Sequence, residues 1–258
     1  MKQVLLKNGK ISVEEVPPPT CGDHEILVAN AFSAISAGTE RGMILSSKQY
    51  SLMNTLKSPE LTKKALNYVK NKGIKEAISI AKEMGKSPIP LGYSSAGIVI
   101  ATGKKVIDIN VGDKVACAGK AYHAEIVSVP RNLVAKIPEN VSLEEAAFVS
   151  LGAIAIQGIR RADLHFGETV VIFGVGLIGQ LAVQVAKAAG CLVIAVDKKP
   201  EMVDLAVKMG ANLGLIVGKH DLERETLIYT NGYGADAVII CASTESSEPV
   251  NRAMRMIR

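Results

Sequence analysis

The sequence has little of what marks membrane, exported or disulfide-bonded proteins. Its longest apolar stretch, residues 146–156, is far shorter than the roughly 18 residues that a membrane-spanning helix needs. The N-terminal residues lack the apolar segment of a signal peptide. The four cysteines, Cys21, Cys117, Cys191 and Cys241, are far apart and form no CxxC pair, so we expect free thiols in a reducing environment. These absences predict a cytoplasmic globular protein without a membrane partner.

The length and composition limit the number of domains, and the positive charge is unevenly distributed along the chain. The 258 residues are 48% hydrophobic and 21% charged, which excludes a disordered or collagen-like chain and allows one large domain or two ordinary ones. The net charge of +5 comes from one segment, because lysines outnumber glutamates nine to three between Lys48 and Lys86. The helix-start signal Ser58-Pro59 and the apolar periodicity predict short amphipathic helices here, and we call residues 45–88 the lysine-rich insert. With only two aromatic residues, both tyrosines, and no arginine, the insert indicates a solvated helix face rather than nucleic-acid binding.

The chain divides into two halves with different patterns. Up to residue 145, short apolar runs between Gly and Pro turns predict a small antiparallel barrel or sandwich; the strand candidates are residues 26–30, 96–102, 113–118 and 124–130. Beyond residue 145, fully apolar strands alternate with helices, which predicts a parallel sheet covered on both faces. The strands are predicted at 169–173, 191–197, 213–217 and 235–242, and the helices at 177–189, 200–209, 221–230 and from the end of the last strand to the end of the sequence. The fold class is therefore α/β, with a domain boundary near residue 150.

A glycine-rich loop follows the first strand of the second half. The strand TVVIF leads into Gly174-Val175-Gly176-Leu177-Ile178-Gly179, which opens a helix. In a dinucleotide-binding loop the first glycine permits a tight turn, the second lets the backbone approach a pyrophosphate, and the third lets the helix pack closely on the strand. The helix N-terminus then offers free N–H groups to the phosphates. We predict that these six residues bind a dinucleotide.

Asp197 selects among dinucleotides. It ends the next predicted strand about 20 residues after the loop, where an acidic residue accepts hydrogen bonds from the ribose hydroxyls. Its negative charge would repel a 2′-phosphate, so NAD is favoured over NADP. The neighbouring Lys198 and Lys199 weaken this preference, since a cation beside the ribose could partly compensate a phosphate.

Several segments together resemble the medium-chain dehydrogenase/reductase family, which includes zinc-type alcohol dehydrogenases. The resemblance covers nearly the whole chain except the lysine-rich insert, and its segments are PPPTCGDHEILVANAFSAISAGTE, LGYSSAGIVIATG, VGDKVA, AEIVSVPRNLVAKIPENVSLEEAA and GETVVIFGVGLIGQLAVQVAKAAGCLVIAVDKKPEMVDLAVKMGAN. It implies a GroES-like catalytic domain over residues 1–150 and an NAD-binding Rossmann domain over residues 151–258. It also implies hydride transfer between nicotinamide and an alcohol or carbonyl group.

The sequence departs from the family at the positions of the three zinc ligands. The first zinc ligand in the family is a Cys before a Thr/Ser-Asp pair, where this chain has Ala37-Gly38-Thr39-Glu40. The second is the His of Gly-His-Glu, where this chain has Tyr93. The third is a Cys or Asp near the domain junction, where Ser150 and its neighbours stand. Because catalytic zinc needs Cys, His or carboxylate ligands, we expect no zinc and no metal ligands.

The resemblance also supplies candidate catalytic residues. Thr39 matches the family's hydroxyl next to the nicotinamide, and the phenol of Tyr93 could polarise the substrate oxygen in place of the metal, although a space-filling aromatic is an equally good interpretation. Ser36 is a weaker third candidate. Glu40 and Arg41 are expected to form an ion pair or to contact phosphate. His123 could shuttle a proton, but a surface position at a strand edge is favoured.

The combination of SAGTER, the insert and PLGYSSAG is similar to the N-terminal half of bacterial bi-domain oxidoreductases. That resemblance suggests a sugar or nucleotide-sugar substrate, with a C-terminal oxidoreductase domain or a homodimer as partner. A zinc-free NADPH reductase of the quinone or enoyl type is an alternative, which Asp197 disfavours, and a dinucleotide-binding scaffold without catalysis is another. A full dinucleotide domain has six strands and the second half supplies four, so we expect an incomplete piece of a longer protein.

Overall fold

The computed structural model describes residues 1–7, 9–49, 88–244 and 246–258. These form two compact units, residues 1–150 and 151–258. The helices predicted within the lysine-rich insert lie outside the described residues, apart from residues 45–49 and 88. The predicted α/β class is confirmed, because one unit is built on antiparallel sheets and the other on a parallel sheet.

The first unit consists of short strands with few helices. Its strands are β1 (Lys2–Lys7), β2 (Lys10–Glu15), β3 (Glu25–Ser33), β4 (Ile89–Pro90), β5 (Ser94–Thr102), β6 (Lys114–Ala118), β7 (Ile126–Pro130) and β8 (Val134–Lys136). Its helices are α1 (Ala37–Gln49) and α2 (Leu143–Ala146), and α3 (Val149–Arg161) begins at its end. Five strands form an antiparallel sheet in the order β7-β3-β5-β6-β8, and three form a second sheet in the order β2-β1-β4. Alternate residues of the larger sheet, among them Ile26, Val28, Val99 and Val127, are fully buried in its core.

The register of β3 against β5 brings the end of β3 next to the start of β5. Ser33, the last residue of β3, pairs with Ser95 near the start of β5. Beyond it, the N–H of Ala34 donates to the carbonyl of Ser94 at 2.9 Å. The residues that follow β3 and the residues that precede β5 therefore lie at the same edge of the sheet.

Asn30 ties β3 to the segment before β7. Its side-chain Nδ2 donates to the carbonyl oxygens of Tyr122 (3.1 Å) and Ala124 (2.8 Å). These two bonds fix the backbone on both sides of His123. The amide is well suited to this place, because it supplies two donors to two carbonyl acceptors.

The second unit contains a four-stranded parallel sheet. Its strands are β9 (Thr169–Phe173), β10 (Leu192–Asp197), β11 (Leu213–Ile216) and β12 (Ala237–Ile240), in the order β11-β10-β9-β12. The remaining helices are α4 (Leu177–Ala188), α5 (Pro200–Lys208), α6 (Leu222–Tyr229) and α7 (Glu248–Met256). Every residue of β9 is buried, which agrees with a strand covered on both faces. Within the described residues, β12 is hydrogen-bonded on one side, to β9.

Two local expectations are corrected by the structure. A helix was not expected directly after β3, yet α1 begins at Ala37. The last helix was expected to continue to the end of the sequence, but α7 ends at Met256, because Ala235 donates to the Met256 carbonyl and accepts from the Arg258 N–H. Among the described helices, none combines the length and the apolar character needed to cross a membrane.

We predict that Asn30→Asp lowers the free energy of unfolding by about 2–3 kcal/mol, because it replaces an NH₂ group that donates twice by a carboxylate oxygen that faces the same two carbonyl oxygens. Asn132→Asp makes the same chemical change at an exposed position of the same unit and should change stability by less than about 0.5 kcal/mol. Denaturant unfolding of the two variants measures this, and equal stability would contradict the role of Asn30.

Candidate functional site

The glycine-rich loop is held by two close approaches of backbone. Gly174 has φ +92°, and a Cβ there would lie 2.6 Å from the N atom of Ala242, beyond β12. A Cβ on Gly179 would lie 2.1 Å from the carbonyl oxygen of Gly174. A side chain larger than hydrogen therefore fits at neither position without movement of backbone. The roles predicted for the first and third glycines, a tight turn and close packing of the helix, match this geometry.

The middle of the loop is open. A Cβ on Gly176 would have no atom within 4 Å, and Gly176 and Leu177 are both exposed. Gly176 is the N-cap of α4 and no side chain caps the helix. The first N–H groups of α4 are thus left without a side-chain partner, which is the arrangement that binds phosphate at a helix N-terminus. Val175 is buried and Ile178 is half-buried, so these two side chains attach the loop to the protein interior.

Asp197 is bonded directly to this loop. One carboxylate oxygen accepts the N–H of Val175 at 2.9 Å, and the other accepts the N–H of Lys199 at 3.0 Å. The side chain is half-buried at the carboxyl end of β10, while Lys198 is exposed beside it. Each carboxylate oxygen has a second lone pair, so both can still accept a hydroxyl. The structure therefore brings together the loop and the acidic residue that the sequence predicted as one site.

Sequence reasoning missed Gln180. Its Nε2 donates to the carbonyl oxygens of Val175 (2.9 Å) and Met202 (2.8 Å), which links the loop to α5. The residue is buried, although its type favours the surface. A polar residue directly after Gly179, on the buried face of an apolar helix, was the available signal.

In the first unit, the candidate residues Ser36 and Thr39 form one turn at the start of α1. The Ser36 hydroxyl donates to the Thr39 hydroxyl at 3.1 Å, and the Ser36 N–H donates to Oε1 of Glu40 at 3.0 Å. Ser36 and Glu40 are buried, whereas Thr39 is exposed. The Thr39 hydroxyl accepts a hydrogen bond from Ser36, so its own hydrogen can be donated elsewhere.

His123 is not a surface residue, and that prediction was wrong. Its side chain is 10% exposed, with Nε2 3.1 Å from Oε1 of Glu40 and Nδ1 2.8 Å from the Ser33 hydroxyl. The ion pair expected between Glu40 and Arg41 is also corrected, because within the described residues the Glu40 carboxylate pairs with His123 instead. Tertiary pairing of β3 with the segment before β7 buries this histidine, and no local pattern signals that.

Tyr93 lies beside this turn in the fold. It directly precedes Ser94, whose carbonyl is bonded to Ala34, and its own carbonyl accepts the N–H of Gly119 at 2.9 Å. The side chain is half-buried, and we find no hydrogen bond to its phenol oxygen within the described residues. Gly92 before it has φ +92°, and a Cβ there would lie 2.7 Å from the N atom of His123.

The residues predicted to stand where the resembling family holds zinc are Ala37, Tyr93 and the stretch around Ser150. The Ser150 hydroxyl donates to the carbonyls of Tyr93 (3.4 Å) and Cys117 (3.3 Å). Cys117 is buried, which raises the pKa of its thiol to about 12. In the described ranges there is no cluster of three or more His, Cys, Asp or Glu side chains that could hold a metal ion.

A model of the zinc-binding dehydrogenase family matches residues 178–258. The match begins inside the glycine-rich loop and continues to the last residue of the chain. It therefore covers much of the second unit and none of the residues described above in the first.

Curated relatives and solved structures extend the similarity to the rest of the chain. The D-guloside 3-dehydrogenase of Shigella flexneri is 35% identical over 159 residues, which are 61% of this chain and 45% of that protein. The probable D-xylulose reductase A of Emericella nidulans is 30% identical over 203 residues, which are 66% of this chain and 56% of that protein. The alcohol dehydrogenase TADH from Thermus sp. ATN1 has the same fold, with a TM-score of 0.78 and 21% identity over 100% of this chain and 75% of that one. This chain spans about half the length of the curated relatives.

The close packing of α4 gives a testable prediction. Gly179→Ala should lower the free energy of unfolding by about 1–3 kcal/mol, because its methyl group would overlap the Gly174 carbonyl. Gly158→Ala in α3 is the matched control: its Cβ would lie 3.8 Å from a methyl group of Ile239, and it should be neutral or stabilise by up to about 1 kcal/mol. Thermal and denaturant unfolding measure both, and equal effects would contradict the contact.

Proposed function

We propose that this chain belongs to the zinc-binding dehydrogenase family and is an NAD-dependent oxidoreductase that transfers hydride between nicotinamide and an alcohol or carbonyl group. The observation that carries the proposal is the bond from the Val175 N–H to the Asp197 carboxylate at 2.9 Å. It joins the residue that distinguishes NAD from NADP to the loop that approaches the pyrophosphate.

The residues of the second unit fit a dinucleotide. Gly176 leaves space for the pyrophosphate, and the uncapped N-terminus of α4 supplies N–H donors and a positive dipole end. Asp197 accepts the two ribose hydroxyls. NADP is disfavoured because its 2′-phosphate would meet this carboxylate, whose two backbone donors hold it in place. When bound, the oxidised cofactor would accept the hydride from an alcohol, and the reduced cofactor would donate it to a carbonyl.

Residues of the first unit handle the proton of the substrate hydroxyl. Thr39 is exposed and accepts from Ser36, so its hydroxyl is oriented to donate to or exchange with a substrate oxygen. Tyr93 supplies a second donor that polarises a carbonyl during reduction. We assign Thr39 and Tyr93 as the residues that contact substrate, and Ser36 as the residue that orients Thr39.

We further propose that the reaction is independent of zinc. All four cysteines and all four histidines of the sequence lie in the described residues, and none stands at the family's ligand positions. The family model matches residues 178–258, which do not include the ligand positions. Its description as zinc-binding therefore gives no information about those positions.

A sugar-derived alcohol is the substrate class that we favour. Two similar proteins are named for a guloside and for xylulose, both of them carbohydrates. Turnover of a panel of sugars, sugar alcohols and nucleotide sugars would test this assignment. Turnover of quinones or enoyl thioesters with NADPH would favour the alternative reductase class instead.

Asp197→Ser should weaken NAD binding about tenfold or more and narrow its advantage over NADP, because one carboxylate that accepts two hydroxyls is lost. Asp204→Ser removes an exposed carboxylate from the neighbouring helix and should leave both affinities unchanged. Isothermal calorimetry with NAD and NADP measures this. Equal affinity of the unaltered protein for the two cofactors would contradict the assignment.

Metal content gives an independent prediction. Elemental analysis of purified protein should find far less than one zinc per chain, and incubation with a chelator should leave the rate of turnover unchanged. One tightly held zinc per chain, or loss of activity on chelation that added zinc restores, would overturn zinc independence without affecting the cofactor assignment.

A further inference from the structure

His123 lies where the two segments that carry the candidate catalytic residues meet. Its side chain reaches Glu40, whose carboxylate also accepts the N–H of Ser36. Its backbone N–H donates to the carbonyl of Leu91 at 2.8 Å, two residues before Tyr93. One residue therefore contacts both the turn that carries Thr39 and the segment that carries Tyr93.

The two ring contacts of His123 fit one tautomer of a neutral ring beside an ionised carboxylate. An ionised Glu40 can only accept, so Nε2 carries a hydrogen toward it. In the neutral ring Nδ1 is then an acceptor, and the Ser33 hydroxyl donates to it at 2.8 Å. Both ring nitrogens are thus paired, and the ring is held in one orientation.

Glu40 connects this ring to the start of α1. Its Oε1 atom receives Nε2–H of His123 and the N–H of Ser36, and its backbone N–H donates to the Ser36 carbonyl at 2.9 Å. Ser36 is therefore held from both its N–H and its carbonyl, which fixes the direction of its hydroxyl toward Thr39. A carboxylate in the first turn of a helix is also favoured by the helix dipole.

We propose that His123 is a positioning residue: through Glu40 it holds the Ser36–Thr39 turn in the geometry that presents the Thr39 hydroxyl to substrate. The consequence for catalysis rests on the function proposed above, whereas the consequence for the turn does not. The role differs from a metal site, because within the described residues no third ligand joins His123 and Glu40.

Two substitutions of His123 separate its two bonds. The amide of glutamine reaches about as far as Nε2, so His123→Gln keeps a donor to Glu40. The amide of asparagine reaches about as far as Nδ1, so His123→Asn keeps the contact to Ser33 and loses the one to Glu40. His24→Gln alters an exposed histidine of the same unit and serves as the control.

The rate of amide hydrogen exchange at Ser36 measures how firmly its N–H is bonded to Glu40, and so how well the Ser36–Thr39 turn is held. The proposal expects faster exchange of the Ser36 N–H in His123→Asn than in His123→Gln, and no change in His24→Gln. Glu40→Ala removes the acceptor itself and should exchange at least as fast as His123→Asn. Circular dichroism and thermal unfolding identify any variant that fails to fold, and the comparison is made between folded variants.

Steady-state kinetics report the consequence for catalysis. His123→Asn should lower kcat about tenfold, with a smaller effect on KM for NAD, and His123→Gln should restore most of that loss. A residue that merely fills space would change thermal stability in both variants and kcat in neither.

The outcomes distinguish the two proposals. Equal Ser36 exchange in His123→Asn and His123→Gln would overturn the positioning role, as would altered exchange with unchanged kcat. Labelling of Ser33 in the unaltered protein by a fluorophosphonate would also overturn it, since Ser33, His123 and Glu40 would then act as a nucleophilic triad on the groove of about 270 Å³ that Ser33 and His123 line. Absence of any dehydrogenase turnover together with the expected exchange pattern would reject the proposed function and leave His123 as the residue that holds the turn.

Discussion

The antiparallel pairing of β3 with β5 is the interaction on which the candidate catalytic residues depend. It places Ala34 against Ser94, and so brings the turn after β3 next to Tyr93, although a long stretch of sequence separates them. The approach is close enough that a Cβ on Gly97 would lie 2.0 Å from the carbonyl of Ala29. The cost of closing a loop grows only slowly with its length, so the lysine-rich insert can connect these strands without disturbing their register.

Most of the second unit could be predicted from the sequence because its signals are local. The strand at 169–173 was predicted with its observed bounds, and α4 was predicted to within one residue. Gly174 and Gly179 are specified by contacts within one strand–loop–helix unit, so a short stretch of sequence carries their whole explanation. Asp197 was predictable for a related reason: parallel strands β9 and β10 are neighbours, and their carboxyl ends meet at one edge.

The site in the first unit could be predicted only in part. Ser36 and Thr39 stand in a recognisable motif, but Glu40 and His123 are 83 residues apart and meet through the tertiary fold. A histidine between Tyr122 and Ala124 has no local pattern that indicates burial, and the bonds of Asn30 to its two neighbours are equally long-range. Gln180 was missed for a different reason, because a buried glutamine contradicts the ordinary preference of its type and is justified by the two carbonyls that it satisfies.

A metal bound by side chains from three segments also connects those segments, and the sequence predicts no ligands at the corresponding positions of this chain. Hydrogen bonds connect the same segments here. The Ser150 hydroxyl links the domain-junction position to the carbonyls of Tyr93 and Cys117, and the Ser94 hydroxyl donates to the carbonyl of Ala147 nearby. The helix turn that contains Ala37 is connected to the segment before Tyr93 through Glu40, which bonds the His123 ring, and through the His123 N–H, which donates to the Leu91 carbonyl. Hydroxyls and one carboxylate–imidazole pair thus hold the backbone around Thr39 and Tyr93 in this structure.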